Sequence, residues 1–146
     1  MRILIAAEGI RDGFRIVEFL KQRAKDGADE YMILSCVEPS NIDDFCTAVY
    51  GYGENHEILG RRVSAAQKAV ESVQTYLADV MSNAGTIQSE VEIGEPKEVI
   101  VEKAKAWNAD EIVMSSHSRH GVDRLLLGSI SEAVAYRAPC TVAIVK

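Results

Sequence analysis

Four short apolar runs constrain this chain more than anything else in it: Ile3 to Ala7, Tyr31 to Val37, Ile112 to Met114 and Val142 to Val145. A strand with one face in water alternates apolar and polar side chains. A run without alternation reads as a strand covered on both faces, as in a parallel sheet with helices above and below. The expected strands are Arg2 to Ala7, Tyr31 to Val37, Gln88 to Ile93, Glu111 to Met114 and Thr141 to Lys146. Gln88 to Ile93 alternates, which suits an edge or near-edge position.

Helical patterns lie between these strands. Asp12-Gly13 opens the first, which turns Ile16, Phe19 and Leu20 inward and stops at Gly27. The second runs from Glu57 to Ala84, with Leu59, Val63, Ala66, Val70, Val73, Leu77 and Val80 at alternating steps of four and three. A coiled coil has the same spacing, but three heptads seamed with Ala and Val favour a crossover helix on a sheet. Gly85 is its stop. The third spans Pro96 to Trp107, with proline at the first helical position. It buries Val99, Ile100, the stem of Lys103, Ala104 and Trp107. The last runs from Ser129 to Arg137, carries Ile130, Val134 and Ala135 in its pattern, and is broken by Ala138-Pro139.

From Ser40 to Asn55 the pattern lapses. Asp43, Asp44, Gly51, Gly53 and Asn55 mix with Phe45, Tyr50 and Tyr52, a long surface loop with one helical turn around Ile42 to Val49. Loops of this length are commonly functional. The aromatics either cover a site or a partner, or pack on the core. Strands alternating with helices make a doubly wound α/β fold with a five-stranded parallel sheet and helices on both faces. The 146 residues suit a single domain, 1–146.

A net charge of −6 with no basic block argues against broad nucleic-acid or anionic-membrane binding. Arg119, His120 and Arg124 supply only a local basic patch. No run is long and apolar enough for a transmembrane helix, and the N-terminal run, cut short at Glu8, is too brief for a signal peptide. Cys36, Cys46 and Cys140 are far apart and odd in number, without a C-x-x-C pair. They read as neutral thiols of a reducing, cytoplasmic setting.

The stretch from Ile112 to Ser131 carries the chemistry. A buried strand passes through small and polar residues into Gly128-Ser129 at a helix start. Backbone N–H groups and the helix dipole there make an anion site. The stretch resembles the nucleotide loop of the universal stress protein family, which reads Gly, two residues, Gly, nine residues, then Gly followed by Ser or Thr. Gly128-Ser129 and the nine-residue spacer Arg119 to Leu127 match, as do His117, Gly121 and Arg124. Ser115 and Ser118 stand where the first two glycines fall. Gly94-Glu95-Pro96, Ala109 to Met114 and Ala138 to Val142 are similar to family segments too.

The resemblance implies strand order 3-2-1-4-5 and a homodimer paired through the C-terminal strand, Thr141 to Lys146. It further implies ATP or another adenine nucleotide at the point where strand order reverses, beyond the ends of strands one and four. The roles fall by position on Ala7 and Glu8 after strand one, the carboxylate of Glu8 meeting the ribose. Cys36 would pack on adenine. Met114, Ser115, Ser118, Arg119, His120, Gly128, Ser129 and Ile130 would hold ribose and phosphates. A glycine in such a loop serves positive φ or the close approach of phosphate, so both serines bear on the ligand, although each keeps its N–H and adds a hydroxyl.

Other constellations are thinner. His117 and His120 lack a third metal ligand nearby. Ser129 has no G-x-S-x-G elbow and reads as a helix N-cap. No Walker or GxGxxG motif is present. No acid, base and nucleophile assemble, so catalysis is limited to weak ATP hydrolysis at most. Two functions remain: a dimeric stress-response regulator that binds an adenine nucleotide, or a dimeric interaction module of the same fold that binds none.

Overall fold

The computed structural model describes residues 1–23, 28–40, 56–116 and 128–146, with only the backbone of His56. Over these residues strand and helix alternate: β1 (Arg2–Ala6), α1 (Ile10–Arg23), β2 (Glu30–Val37), α2 (His56–Val80), β3 (Ile87–Ile93), α3 (Pro96–Ala106), β4 (Glu111–Ser115), α4 (Ser129–Arg137) and β5 (Thr141–Val145). The strands form one parallel sheet in the order β3-β2-β1-β4-β5. This is the expected doubly wound architecture.

Side chains alternate faces along a strand, and both faces of this sheet are apolar. Ile3, Ile5 and Ala7 join Tyr31, Ile33, Val113 and Val145 under Ile16, Val17 and Leu20 of α1 and Val70, Val73 and Leu77 of α2. Leu4 and Ala6 join Met32, Leu34, Ile112 and Met114 under Ile100, Val101 and Ala104 of α3 and Val134 of α4. Helices α1 and α2 therefore cover one face, α3 and α4 the other. Leu4, Ile5, Ile33, Ile112 and Val113 are wholly out of water, each stabilising by about 1.5–3 kcal/mol relative to exposure. Edge strand β3 has no fully buried residue, in keeping with its alternation.

Helix ends depart from expectation where glycine has another job. α1 begins at Ile10, so Gly13 lies inside it, buried. A Cβ there would stand 2.3 Å from Val73 Cγ2, so this glycine brings α1 and α2 together rather than opening a helix. Val17, absent from the expected stripe, is fully buried beside it. α2 stops at Val80, four residues short of Ala84, where Ser82 and Asn83 propagate a helix poorly. Gly85 lies beyond that end. Its N–H donates to the Asp29 carbonyl at 2.8 Å, and a Cβ would meet that oxygen at 3.1 Å.

α3 ends with Trp107 as C-cap and Asn108 in the left-handed region at φ 52°. Ala109 N–H bonds the Ala104 carbonyl and Asn108 N–H that of Lys105, the paired closure of a Schellman turn. α3 also buries Val101, outside the expected set. α4 has the expected bounds, but its inner face is Ser131 and Val134, and Ala135 is exposed. The expected stop at Gly27 and the loop turn at 42–49 lie outside the described residues.

Candidate functional site

β1 and β4 lie side by side at the centre of the sheet, but their chains leave to opposite faces, β1 to α1 and β4 to α4. A crevice therefore opens beyond their carboxyl ends, where an open α/β sheet takes its ligands. Ala7, just past β1, is buried and donates its N–H to the Leu34 carbonyl at 3.0 Å. Glu8 follows at the surface. Met114 is buried on the α3/α4 face, and Ser115 completes β4, paired with Val145. Ser116 N–H then bonds the Val145 carbonyl at 3.0 Å. Cys36 stands two residues beyond Leu34, the β2 partner of Ala6, and shares its face. Thus Ala7, Glu8, Cys36, Met114 and Ser115 gather at the carboxyl end, while Ser118, Arg119 and His120 lie outside the described residues.

The start of α4 differs in detail from the sequence reading. Gly128, at φ −63° and ψ 152°, is the N-cap, and Ser129 is the first helical residue, so Ser129 is not the cap. Gly128 has no side chain with which to cap this end. Instead the Gly128 carbonyl accepts from Ser131 Oγ and from Glu132 N–H, both at 2.9 Å. The N–H groups of Ser129, Ile130 and Ser131 have no intrahelical acceptor at a helix start, and the dipole adds positive charge there. Ser129 is exposed, and half-buried Ile130 packs on the core beneath. Gly128 does not sit at positive φ. Nor does Ser115, since Asn108 is the one described non-glycine residue there. The serine in β4 costs no backbone strain.

Burial, and secondarily the carboxylate of Glu92, pushes the Cys36 thiol up to about 12. Burial also raises that of Cys140. In the unfolded chain a thiol ionises near its ordinary value. The stability that the neutral Cys36 contributes is therefore complete below that value and declines as pH climbs from there towards about 12. Alkylation of native protein by iodoacetamide at pH 8 should leave Cys36 unmodified over the time in which denatured protein reacts fully. Equal rates in the two states would contradict its partial burial.

At the other end of the sheet lies a shallow polar depression lined by Met1, Arg2, Ala28, Glu30, Asn108 and Asp110, which nothing in the sequence signalled. Its charges already answer one another. The Met1 ammonium pairs with Asp29 at 2.8 Å, Arg2 with Glu30 at 3.0 Å, and Asp110 accepts from Arg2 N–H at 2.7 Å. Among the described residues no group of three His, Cys, Asp or Glu is placed to hold a metal ion. No described helix is long and apolar enough to cross a membrane.

Known proteins resemble this chain along its whole length. It is 34% identical over 99 residues to universal stress protein A homolog 2 of Coxiella burnetii, which covers 68% of this chain and 64% of that protein. It is 25% identical over 150 residues to universal stress protein Sll1388 of Synechocystis, covering 99% of this chain and 97% of that protein. Among solved structures, hypothetical protein MJ0577 superposes with a TM-score of 0.81 at 22% identity, over 99% of this chain and 94% of the other. The Archaeoglobus fulgidus universal stress protein in complex with dAMP gives 0.68 at 16%, over 100% and 98%. An Arabidopsis thaliana universal stress protein family protein with AMP bound also gives 0.68 at 16%, over 100% and 91%. These likenesses establish the shared fold. The sequence profile of the universal stress protein family matches residues 1–146, and the chain belongs to that family.

Proposed function

We propose that this protein binds an adenine nucleotide in the crevice between β1 and β4 and acts in a stress response as a dimeric regulator. The observation that carries this reading is the start of α4. The first-turn N–H groups behind Gly128 begin the helix that follows β4, the strand beside which strand order reverses, a place suited to phosphate. Glu8 and Cys36 stand across the crevice for ribose and base. The family members solved with dAMP and with AMP support the choice of ligand. β5 pairs with β4 alone among the described strands, so its outer edge is available to the same strand of a second copy, and an unprotected edge favours such pairing.

Gly128→Val tests the site. Valine adopts φ −63° and ψ 152° freely, so the fold should hold, but its branched side chain stands at the helix start where phosphate would approach. Calorimetric titration with AMP and ATP should show affinity reduced at least about a hundredfold, ~2.7 kcal/mol, with an unchanged circular dichroism spectrum. Unchanged affinity would remove the phosphate from this helix. A wild-type protein that binds no nucleotide would leave the dimeric interaction module as the better reading.

A further inference from the structure

The two edges of the sheet offer a further strand different surfaces. β5 carries no charge from Thr141 to Val145, so nothing opposes its pairing with its own copy. β3 is the other edge, and it is acidic. The Thr86 carbonyl accepts from Tyr31 N–H, and Gly94 N–H donates to the Val37 carbonyl. In a parallel ladder this spacing turns the backbone groups of Gln88, Glu90 and Glu92 towards β2. Those of Ile87, Ser89, Val91 and Ile93 point outward. Gln74 of α2 reaches over one end of the edge, where its Nε2 donates to the Ile87 carbonyl at 3.0 Å and its Oε1 accepts from Ser89 Oγ at 2.7 Å. Beyond it, no hydrogen bond among the described residues takes up the outward N–H and C=O groups of Ser89, Val91 and Ile93.

The side chains of β3 divide by face. Ser89, Val91 and Ile93 pair in register with Ile33, Ser35 and Val37 and lie on the α2 side, where Ile93 is 39% exposed. Glu90 and Glu92 pair with Leu34 and Cys36, lie on the α3 side, and share a single ammonium, that of Lys103. Both carboxylates are more than a third exposed, at 40% and 37%. Two copies of β3 paired antiparallel about Val91 would set each Glu90 opposite a Glu92, and like charges directly opposite are destabilising. A strand of opposite charge meets no such barrier.

We propose that the outer edge of β3 receives an extended segment of another protein, added as a further strand beside Ser89 to Ile93, with apolar residues on the α2 side and Lys or Arg on the α3 side facing Glu90 and Glu92. Main-chain hydrogen bonds hold such a strand, and the side chains that alternate along it set the selectivity. β3 and β5 are opposite edges, so pairing of two copies through β5 leaves this surface open on each. The proposal does not rest on the nucleotide reading.

The probe is a short blocked peptide alternating Lys and Val, with a Glu-and-Val peptide as its control. Binding to the full chain is followed by fluorescence anisotropy and by amide hydrogen exchange. The Lys–Val peptide should bind saturably, weaken with added salt, and slow exchange at Ser89, Val91 and Ile93. The Glu–Val peptide should not bind. Val91→Pro removes an outward N–H that the ladder to β2 does not use, where an edge strand tolerates proline. It should weaken the Lys–Val peptide at least about tenfold. Glu92→Gln should weaken it about two- to fivefold, which decides the matter if the proline variant does not fold. Equal binding of both peptides, protection confined to other strands, or affinity unchanged in either variant would overturn the proposal. Absence of saturable binding at millimolar peptide would overturn it too. Protection of the β3 amides that grows with protein concentration, without peptide, would give the edge to a second copy and overturn it likewise.

Discussion

Arg23→Met is expected to destabilise the protein by about 2–3 kcal/mol. Glu111 opens β4 with its side chain only 4% exposed, and Arg23 at the end of α1 meets it with two guanidinium nitrogens at 3.0 and 3.3 Å. Removing the cation leaves a carboxylate in the sheet without its charge partner, a loss of about 3–5 kcal/mol where both groups are buried. Arg23 is 46% exposed, so water takes part of its place and the lower figure applies. The guanidinium also lies 4.9 Å above the Phe19 ring, a contact that methionine replaces only in part. The urea midpoint should fall while the slope of the transition stays constant. Adding Glu111→Met should recover most of the loss, because two apolar side chains carry no desolvation penalty. A loss below about 0.5 kcal/mol for Arg23→Met, the level of an exposed pair, would show that Glu111 is not held by this arginine.

Gly13→Ala is expected to destabilise by about 1–2 kcal/mol, against the helix preference of the two residues. In a helix interior alanine is favoured over glycine by about 0.8–1 kcal/mol. Here the added Cβ would lie 2.3 Å from Val73 Cγ2 and 3.0 Å from its Cγ1. Val73 is 1% exposed, and a branched side chain in a helix keeps to one rotamer. Either α1 and α2 part or Val73 leaves its rotamer, and overpacking of this kind costs about 1–3 kcal/mol. With Val73→Ala in the same chain, Gly13→Ala should become neutral or stabilising, a coupling that a double-mutant cycle reads directly. A single Gly13→Ala variant that melts higher than wild type would refute the close approach of the two helices.

Both cases show where the sequence was legible and where it was not. Ile3 to Ala7 and Ile112 to Met114 announced buried strands because polarity cannot alternate in a strand covered on both faces. The seven-residue stripe on α2 was readable for a similar reason, since one helix face meets one core. Glycine carries no such signature. Gly13 and Gly85 read as helix punctuation, yet each permits a contact with a residue distant in sequence, Val73 or Asp29, that no local pattern encodes. Glu111 read as a strand boundary, because its partner Arg23 lies 88 positions away. Strand order came from family resemblance, as the apolar runs alone do not rank one parallel neighbour over another. In the site, the small residues around Gly128 marked a helix start, but Gly128 and Ser129 share the role differently than expected. Ser115 belongs to β4, one residue beyond the expected end of that strand, because its pairing with Val145 of β5 forms only when the sheet is assembled.

The most direct test of the nucleotide site begins with purified wild-type protein. Small molecules released by denaturation would be identified by mass spectrometry, and the emptied, refolded protein titrated calorimetrically with ATP, ADP and AMP. An adenine nucleotide in the released fraction, or a saturable titration lost in Gly128→Val, is the result expected of a crevice that seats phosphate on α4. A blank release together with no heat from any of the three nucleotides would contradict it and move the function to the dimer surface.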